Sequence, residues 1–432
     1  MNDMTLPREA VLRMTAAPGF PVLSLAERDR RWGLARDEME RRGIDCLFIV
    51  CKGYNTNGNA RWLDNADHSD RYLLFPRRGN PVILRGPAHW QEWYPELFWE
   101  GVRYQGTAGG QTSSATVDLI CDYGYENGTI GIIGLTGAMM STEGDIPYLT
   151  FQNLKKRLPK ASFVDVTDML LGFRMFKSQE ELAMVEKAAE LSNLQIATVR
   201  RLARPGAREL DLFTDMTAAA LKAGNEIGRE HWSIMCSGKG YPTNRPPSRR
   251  TLKKGDMLCV SHYTRYGGYW GHPHTAMSLG PIDEEYKPLR AVVRESIQRV
   301  LELLKPGTPW SEIDRMIDEP IIKSGYYHEI PQIHGIGLDG HEPPVGPHAG
   351  GQIPVKRGRP KGSITDNEEW QQFAKTQSRP TKDLVVREGM VLAIETKAVK
   401  ENRLFLEFGP LVVTERSGPR VLTPEALDVI EL

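Results

Sequence analysis

The chain has 432 residues, 40% of them hydrophobic and 25% charged, which is typical of a folded globular protein. Lys plus Arg and Asp plus Glu number 55 each, so the zero formal net charge gives no general attraction for nucleic acid or anionic membranes. The five cysteines are scattered without a CxxC pair, which predicts reduced thiols in a cytoplasmic protein. The N-terminus has no basic start followed by an apolar run, so we expect no signal peptide.

Helices and strands alternate in the first part of the chain. Ser24–Glu27 has the pattern of a capping box, and a helical pattern follows as far as Gly43. Two apolar runs flank a polar turn at 76–80, as in a hairpin. Strands are predicted at 46–50, 71–75, 81–84, 129–133 and 163–166, and further helices at 117–121 and 149–158. This order predicts an α/β domain.

A second capping box, Ser178–Glu181, begins another helical pattern, and we place a domain boundary near residue 177. The predicted domains are 1–177 and 178–432. The second contains helices at 210–222 and 289–304, another that follows a Ser311 cap, and strands at 257–261, 390–397, 404–408 and 411–414. These strands are too far apart in sequence for one hairpin ladder, so the sheet must join distant segments.

Residues 345–386 are rich in Gly, Pro, Lys, Arg and Gln and have almost no apolar periodicity. We expect a long surface loop, a kind of segment that is often functional, and its place after the motif 334–344 favours a lid over the site. The string Lys356–Gly362 is similar to an AT-hook, but one short basic string in a neutral protein is explained equally well by a solvated turn. DNA binding is therefore not expected.

Two imidazoles, two carboxylates and three intervening glycines fall within residues 334–344. His334 and His341 are candidate metal ligands or acid/base groups, and glycines let a backbone approach a ligand closely. Glu395 and Glu407 each end an apolar run, where a carboxylate is costly to bury unless it is paired or binds metal. The alternative is a Gly-rich turn with surface histidines and edge-strand glutamates. A His on a Gly-rich turn followed by two strand carboxylates favours the functional interpretation.

This set resembles the pita-bread fold shared by methionine aminopeptidase, aminopeptidase P, prolidase and creatinase, peptidase family M24. The stretches that carry the resemblance are 334–344, 388–395, 407–415 and 254–258. The two-domain layout is similar to the aminopeptidase P and creatinase branch. The resemblance implies an α/β (α+β) protein with a creatinase-type N-terminal α/β domain, a C-terminal pita-bread domain and a homodimeric assembly.

Three residues depart from the family's metallopeptidases, which hold two divalent metals with two Asp, one His and two Glu. Ser261 stands at the first Asp position, and His272, eleven residues later, stands at the second. Asn244 falls where the family has a further histidine. The residues that keep the family pattern are His334, Glu395 and Glu407.

The remaining carboxylates limit the metal content. Glu395 and Glu407 supply two negative charges, which balance one divalent ion rather than two. One expectation is therefore a single Zn, Mn or Fe ion held by His272, His334, Glu395 and Glu407. Creatinase lacks the same two Asp positions and works without metal on a small guanidino substrate, so the resemblance leaves a metal-free pocket as the alternative.

Other side chains are candidates for catalysis. His262, His272 or His274 could supply the general acid/base that Asn244 cannot, although a surface strand histidine is the alternative for His262 and His274. Strand alternation predicts that His262 points away from the face of Ser261. His272 and His274 share a face if their segment is extended. By resemblance, His341 contacts the substrate or stabilises a tetrahedral intermediate.

Substrate binding has three further candidates. Arg71 falls where creatinase-type first domains carry an arginine that reaches a partner's pocket and binds a substrate carboxylate, a task that suits its forked guanidinium. A surface arginine is the alternative. Tyr269 could form a wall of the pocket, although aromatic residues in strands are more often core. Glu395 could bind a cationic group of the substrate.

The resemblance implies an enzyme that cleaves a C–N bond, by hydrolysis, in a small polar substrate or short peptide. One rival is a lyase, because the family contains a metal-dependent sulfonium lyase. A second rival is an inactive member that binds peptides or proteins. Retention of His334, His341, Glu395 and Glu407 favours the enzyme.

Overall fold

The chain divides into two units, Met1–Arg174 and Met175–Leu432, and the sequence predicts a boundary at residue 177. The computed structural model describes residues 21–51, 57–66, 71–85, 99–107, 112–136, 144–226, 234–238, 246–326, 331–346, 384–400 and 404–432. Both units combine helices and strands, so the predicted mixed α/β class is confirmed.

A six-stranded sheet forms the centre of the first unit. Its strands are β1 (Cys46–Cys51), β2 (Arg71–Pro76), β3 (Val82–Arg85), β4 (Arg103–Gly106), β5 (Thr129–Ile133) and β6 (Ser162–Asp165). They lie in the order β4-β3-β2-β1-β5-β6. The β1–β2 and β2–β3 pairs are antiparallel, which confirms the predicted hairpin, and the others are parallel.

The helices of the first unit are α1 (Leu25–Arg42), α2 (Asn57–Asp64), α3 (Thr112–Asp122), α4 (Tyr148–Arg157) and α5 (Thr167–Arg174). Helix α1 has the predicted ends: Ser24 Oγ accepts a hydrogen bond from Glu27 N, and Gly43 adopts φ +67° after the last turn. Helices α2 and α5 have eight residues each and carry no clear sequence signal.

The second unit has two larger sheets and two hairpins. Its strands are β7 (Ile234–Ser237), β8 (Met257–Ser261), β9 (Thr264–Tyr266), β10 (Tyr269–Gly271), β11 (His274–Ser278), β12 (Ile333–Gly335), β13 (Glu342–Gly346), β14 (Val391–Ile394), β15 (Thr396–Lys400), β16 (Leu404–Phe408), β17 (Leu411–Glu415), β18 (Gly418–Val421) and β19 (Ile430–Glu431). The sheets have the orders β19-β11-β8-β7 and β13-β12-β14-β17-β18. The hairpins are β9–β10 and β15–β16. Within the larger sheets, distant segments join as predicted, as in the pairs β11–β19 and β12–β14.

The helices of the second unit are α6 (Gln179–Leu202), α7 (Glu209–Lys222), α8 (Lys287–Leu303) and α9 (Trp310–Lys323), followed by a 3-10 turn, Pro424–Leu427. The capping box at Ser178 and Glu181 is present as predicted. Apolar faces of α8 and α9 pack with the strands around one buried cluster that includes Trp310, Ile394 and Phe408. Burial of this apolar surface holds the strands that carry the polar site.

The predicted start of α9 is wrong. The helix begins at Trp310 after Pro309, so Ser311 lies inside the first turn and does not cap it. Pro309 has an extended backbone with φ −62°, the value its ring imposes, and lacks the N–H that a helix interior would use.

The predicted strand 390–397 divides at Glu395. Strand β14 pairs with β12 and β17 in the five-stranded sheet, whereas β15 pairs with β16 in a hairpin. Glu395 N donates to Gln332 O at 2.8 Å, which fixes the backbone where the chain changes sheets. This change places the Glu395 carboxylate where the two sheet systems meet.

The predicted loop 345–386 is shorter than expected, because 345–346 belong to β13 and Val385 forms an isolated bridge with Pro309. Residues 347–383, including the basic string 356–362, and Asn244 lie outside the described residues. The lid and the AT-hook interpretations are therefore left as predictions.

The five cysteines, all within the described residues, form no disulfide with one another, as predicted; four are buried and Cys121 is exposed. Burial raises the pKa of the Cys259 thiol to about 12. In the described part of the chain, no helix has the length and apolar character needed to cross a membrane.

Candidate active site

Strands from both larger sheets and from the β15–β16 hairpin bring the polar residues of the second unit together. His334 lies on β12, His272 lies between β10 and β11, and Glu395 lies between β14 and β15. His274 begins β11 and exchanges two backbone hydrogen bonds of 3.0 Å with Gly409, just beyond β16. These two hydrogen bonds connect the four-stranded sheet to the hairpin that carries Glu407.

The sequence suggests a turn at His334. In the structure this residue lies instead on β12, between β13 and β14 in the five-stranded sheet. Two nearby glycines are closely packed. A Cβ on Gly335 would lie 2.2 Å from Pro343 O, and one on Gly337 would lie 2.7 Å from Glu342 Oε2. Gly335 therefore lets β12 and β13 approach each other, and Gly337 leaves room for the Glu342 carboxylate.

One oxygen of Glu395 is the centre of a first group of side chains. His272 Nε2 lies 2.6 Å and His334 Nε2 lies 2.8 Å from Glu395 Oε1. His341 belongs to the same group, in which one potential ligand atom from each of the four residues lies within 4.8 Å of the others. The structure thus brings His272, His334, His341 and Glu395 together.

The other ring nitrogens determine which atoms carry protons. His272 Nδ1 donates to His262 O at 2.9 Å, and His334 Nδ1 donates to Gly335 O at 2.8 Å. In the neutral rings, both Nε2 atoms therefore present lone pairs to a carboxylate oxygen. Burial and then the charge of His274 lower the pKa of His272 to about 4, so His272 is neutral at pH 7. The charged His274 already places its Nε2 3.0 Å from His272 Nε2. When His272 and His334 are both neutral, their two lone pairs and the Glu395 oxygen could also bind a metal ion.

His341 differs from the other two imidazoles. It is half-buried, and its buried Nδ1 has no hydrogen-bond partner in the described part of the chain. Its ring stacks on that of His334 at a centroid distance of 4.2 Å. Burial holds the pKa of His341 well below its ordinary value. A neutral, partly accessible ring with an unused nitrogen is suited to contact a substrate.

A second group surrounds Glu407. His274 Nδ1 lies 3.0 Å from Glu407 Oε1, an ion-pair contact without hydrogen-bond alignment, and His274 Nε2 lies 3.1 Å from Glu395 Oε1. Burial lowers the pKa of His274, but the charges of Glu407 and Glu395 outweigh it and raise the pKa to about 9. His274 is thus positively charged at pH 7. The prediction put Glu407 with His272 and His334, whereas the structure groups it with His274 and Glu395.

Lys397 is a site residue that the sequence did not indicate, and its ammonium lies 2.7 Å from Glu395 Oε2 and 3.3 Å from Glu407 Oε1. The available signal was its spacing, because residues two apart on a strand share a face. Burial raises the pKa of Glu395, but the charge of Lys397, followed by that of His274, keeps it well below the ordinary value. Glu395 is therefore ionised at neutral pH.

His262 lies outside both groups. Its Nε2 is 2.9 Å from Thr275 Oγ1, and its Nδ1 is 3.3 Å from Gln195 Oε1. Burial and then the charge of His274 lower the pKa of His262 to about 3. Ser261 pairs across the sheet with His274, and its buried Oγ has no hydrogen-bond partner among the described residues. His262 is therefore a core histidine.

Two predicted substrate residues already have partners within their own units. In the first unit, the buried Arg71 lies 3.1 Å from Asp64 Oδ2 and donates to Ala66 O. In the second unit, Tyr269 Oη donates to Glu181 Oε1 at 2.9 Å. Both contacts support the fold, and the substrate roles of Arg71 and Tyr269 stay predictions.

A sequence profile of metallopeptidase family M24 matches residues 183–416. The chain belongs to this family. The M24 profile spans every residue of the two groups around Glu395.

Known M24-type proteins resemble this chain at low identity. The Xaa-Pro dipeptidase of Pyrococcus furiosus is 24% identical over 207 residues, which span 48% of this chain and 60% of that protein. The creatinase of a Bacillus species is 23% identical over 330 residues, which span 74% of this chain and 77% of that protein. The structure of the X-Pro aminopeptidase from Thermotoga maritima has a TM-score of 0.72 at 17% identity and covers 93% of this chain and 99% of that chain. These likenesses show the fold of the two-domain M24 proteins.

The family name implies a metal, and the first group of this M24 chain has donors that fit one. His272 and His334 have the second-nitrogen bonds to backbone carbonyls that metal-bound histidines nearly always make. With Glu395 they offer two nitrogens and one oxygen, a donor set suited to Zn, Mn or Fe. The second group does not fit a further divalent ion, because two side-chain cations already contact Glu407.

Proposed function

We propose that this protein is a hydrolase that cleaves a C–N bond in a dipeptide or another small polar substrate, at a site with one divalent metal ion. Membership of family M24 supports the reaction class. The relatives named Xaa-Pro dipeptidase and creatinase support a small substrate. The observation that carries the proposal is the convergence of His272 Nε2 and His334 Nε2 on Glu395 Oε1.

His272, His334 and Glu395 would hold the ion. A divalent ion at this position supplies Lewis-acid polarisation of a carbonyl group. The backbone carbonyls of His262 and Gly335 keep the two Nε2 lone pairs aimed at the ion. Replacement of both Asp ligands of the family by Ser261 and His272 lowers the negative charge, which supports one ion rather than two.

His341 would act on the substrate. Its unused Nδ1 lies beside the donor set and can donate a hydrogen bond to charge that develops on a substrate oxygen. The charged His274, held between Glu407 and Glu395, would keep the pocket's two carboxylates compensated. We also propose a cytoplasmic homodimer, which rests on the resemblance and on the reduced thiols.

Elemental analysis and a substrate panel test the proposal. Protein purified with Zn²⁺ or Mn²⁺ should carry one ion per chain and hydrolyse at least one member of a panel of Xaa-Pro dipeptides, other dipeptides and creatine. His334→Ala should lose the metal ion, and its turnover rate should fall about a thousandfold. An active His334→Ala enzyme would place the reaction elsewhere, and a metal-free active protein would favour the creatinase-like alternative.

A further inference from the structure

Lys397 lies where strand geometry directs its side chain toward both carboxylates. It follows Glu395 by two residues, and its register partner on β16 is Glu407. Residues two apart on a strand share a face, and directly opposed residues have Cβ atoms about 5 Å apart. Its side chain is buried, with 5% of the residue exposed. The pairing of β15 with β16 therefore fixes an ammonium beside Glu395 and Glu407.

Three oxygen atoms surround the ammonium. Lys397 Nζ donates to Glu395 Oε2 at 2.7 Å and to Pro331 O at 2.9 Å, and it lies 3.3 Å from Glu407 Oε1. A lysine ammonium has three N–H donors and no acceptor, and two of them are used in these hydrogen bonds. The contact with Glu407 Oε1 is an ion pair without hydrogen-bond alignment. The group is thus held as a cation beside both carboxylates.

The two oxygens of Glu395 have different neighbours. Oε1 faces His272 and His334, where the proposed ion would lie, and also the charged His274, whereas Oε2 faces Lys397. A second divalent ion shared by Glu395 and Glu407 would need the oxygens that Lys397 already contacts. It would also lie close to a buried positive charge, which low polarity makes strongly repulsive.

We propose that Lys397 takes the place of a second divalent cation between Glu395 and Glu407 and thereby limits the site to one metal ion. This inference rests on the proposed function, because it assumes an ion in the first group. Lys397 then determines metal stoichiometry, and its role differs from that of a lysine that only stabilises the β15–β16 hairpin.

Metal stoichiometry tests the inference. Wild-type protein, Lys397→Gln, Lys397→Arg and the control Lys400→Gln would be equilibrated by dialysis with a series of Mn²⁺ concentrations and analysed for bound Mn²⁺. Glutamine keeps hydrogen-bond donors but removes the charge, arginine keeps the charge, and Lys400 lies on the same strand opposite Leu404. We expect Lys397→Gln to bind a second Mn²⁺ ion more weakly than the first, because two carboxylates balance the charge of only one divalent ion, and we expect the other three proteins to bind one ion. Electron paramagnetic resonance should show coupled Mn²⁺ pairs in Lys397→Gln alone.

The outcomes separate the two proposals. A folded Lys397→Gln that still binds one ion would leave the hydrolase proposal intact and overturn the role of Lys397. Wild-type protein that binds two ions would overturn this role whether or not any variant folds. Wild-type protein that binds none would instead overturn the metal site itself, and the inference with it.

Discussion

Individual histidines in this site differ in what their second ring nitrogen contacts. His272 and His334 bond to backbone carbonyls through Nδ1, whereas Nδ1 of His341 has no such partner among the described residues. An oriented ring is typical of a metal ligand, and an unoriented ring beside it is available to the substrate.

Replacing His341 should therefore separate catalysis from metal binding. We expect His341→Ala to keep one metal ion per chain and to lose about a hundredfold to a thousandfold in kcat, because one hydrogen bond to developing charge is removed. Metal analysis with steady-state kinetics checks this, with His334→Ala as the matched variant that loses both. Loss of the ion from His341→Ala would make His341 a ligand.

Replacing His262 should affect stability more than turnover. His262→Ala leaves Gln195 and Thr275 buried without their present partner, which costs about 1–3 kcal/mol in the free energy of unfolding. Urea unfolding and kcat would be measured on the same preparation. A thousandfold loss of kcat in a stably folded His262→Ala would contradict its position outside the site.

The sequence predicts the site's residues better than their contacts. His334, His341 and the two glutamates are found by motif, and His272 by its spacing from Ser261. The role of Lys397 could not be predicted, because its contact with Glu407 depends on the β15–β16 register. Nor could the motif show that Glu407 faces His274 while His341 faces His272.

Among whole elements, α9 carries an unfavourable pair of carboxylates, Asp314 and Asp318, one turn apart. Burial raises the pKa of Asp318 to about 7, and burial together with the charge of Asp318 raises that of Asp314 to about 7. A raised carboxyl pKa means that folding opposes ionisation. Stability is thus lost as the pH rises from about 4 through 7.

Removal of one charge from α9 should reverse this loss. We expect Asp318→Asn to raise the free energy of unfolding at pH 8 by on the order of 1–3 kcal/mol and to have little effect at pH 4. Thermal or urea unfolding at both pH values measures the difference. An equal effect at both pH values would show that the carboxylate's charge is not the cause.

Most elements of the chain follow from local patterns, and the exceptions have tertiary causes. The caps at Ser24 and Ser178 and the strand 257–261 are found from the sequence because their signals lie within a few residues. The division of 390–397 at Glu395 cannot be found from the sequence, because apolar residues continue on both sides and only the sheet to which the strand belongs changes.

At the scale of the whole molecule, the candidate site belongs to one of the two units. All residues of the two groups around Glu395 lie in Met175–Leu432. This unit has its own buried clusters, in which strands pack against α6 to α9.

A fragment of residues 175–432 should therefore fold and bind metal alone. We expect a cooperative thermal transition by circular dichroism and one divalent ion per chain, as in the full protein. Unfolded fragment, or fragment that is folded but without metal, would mean that residues of the first unit are needed to form the site.

The single exposed cysteine provides a place for a spectroscopic probe. Among the five thiols only Cys121 is exposed, and it lies in the first unit on α3. A maleimide fluorophore should therefore attach there alone in the native protein, at mildly alkaline pH because burial, followed by nearby acidic charges, raises the pKa of this thiol. The fluorescence of such a dye would report changes in its surroundings on α3 during turnover, without a single engineered residue.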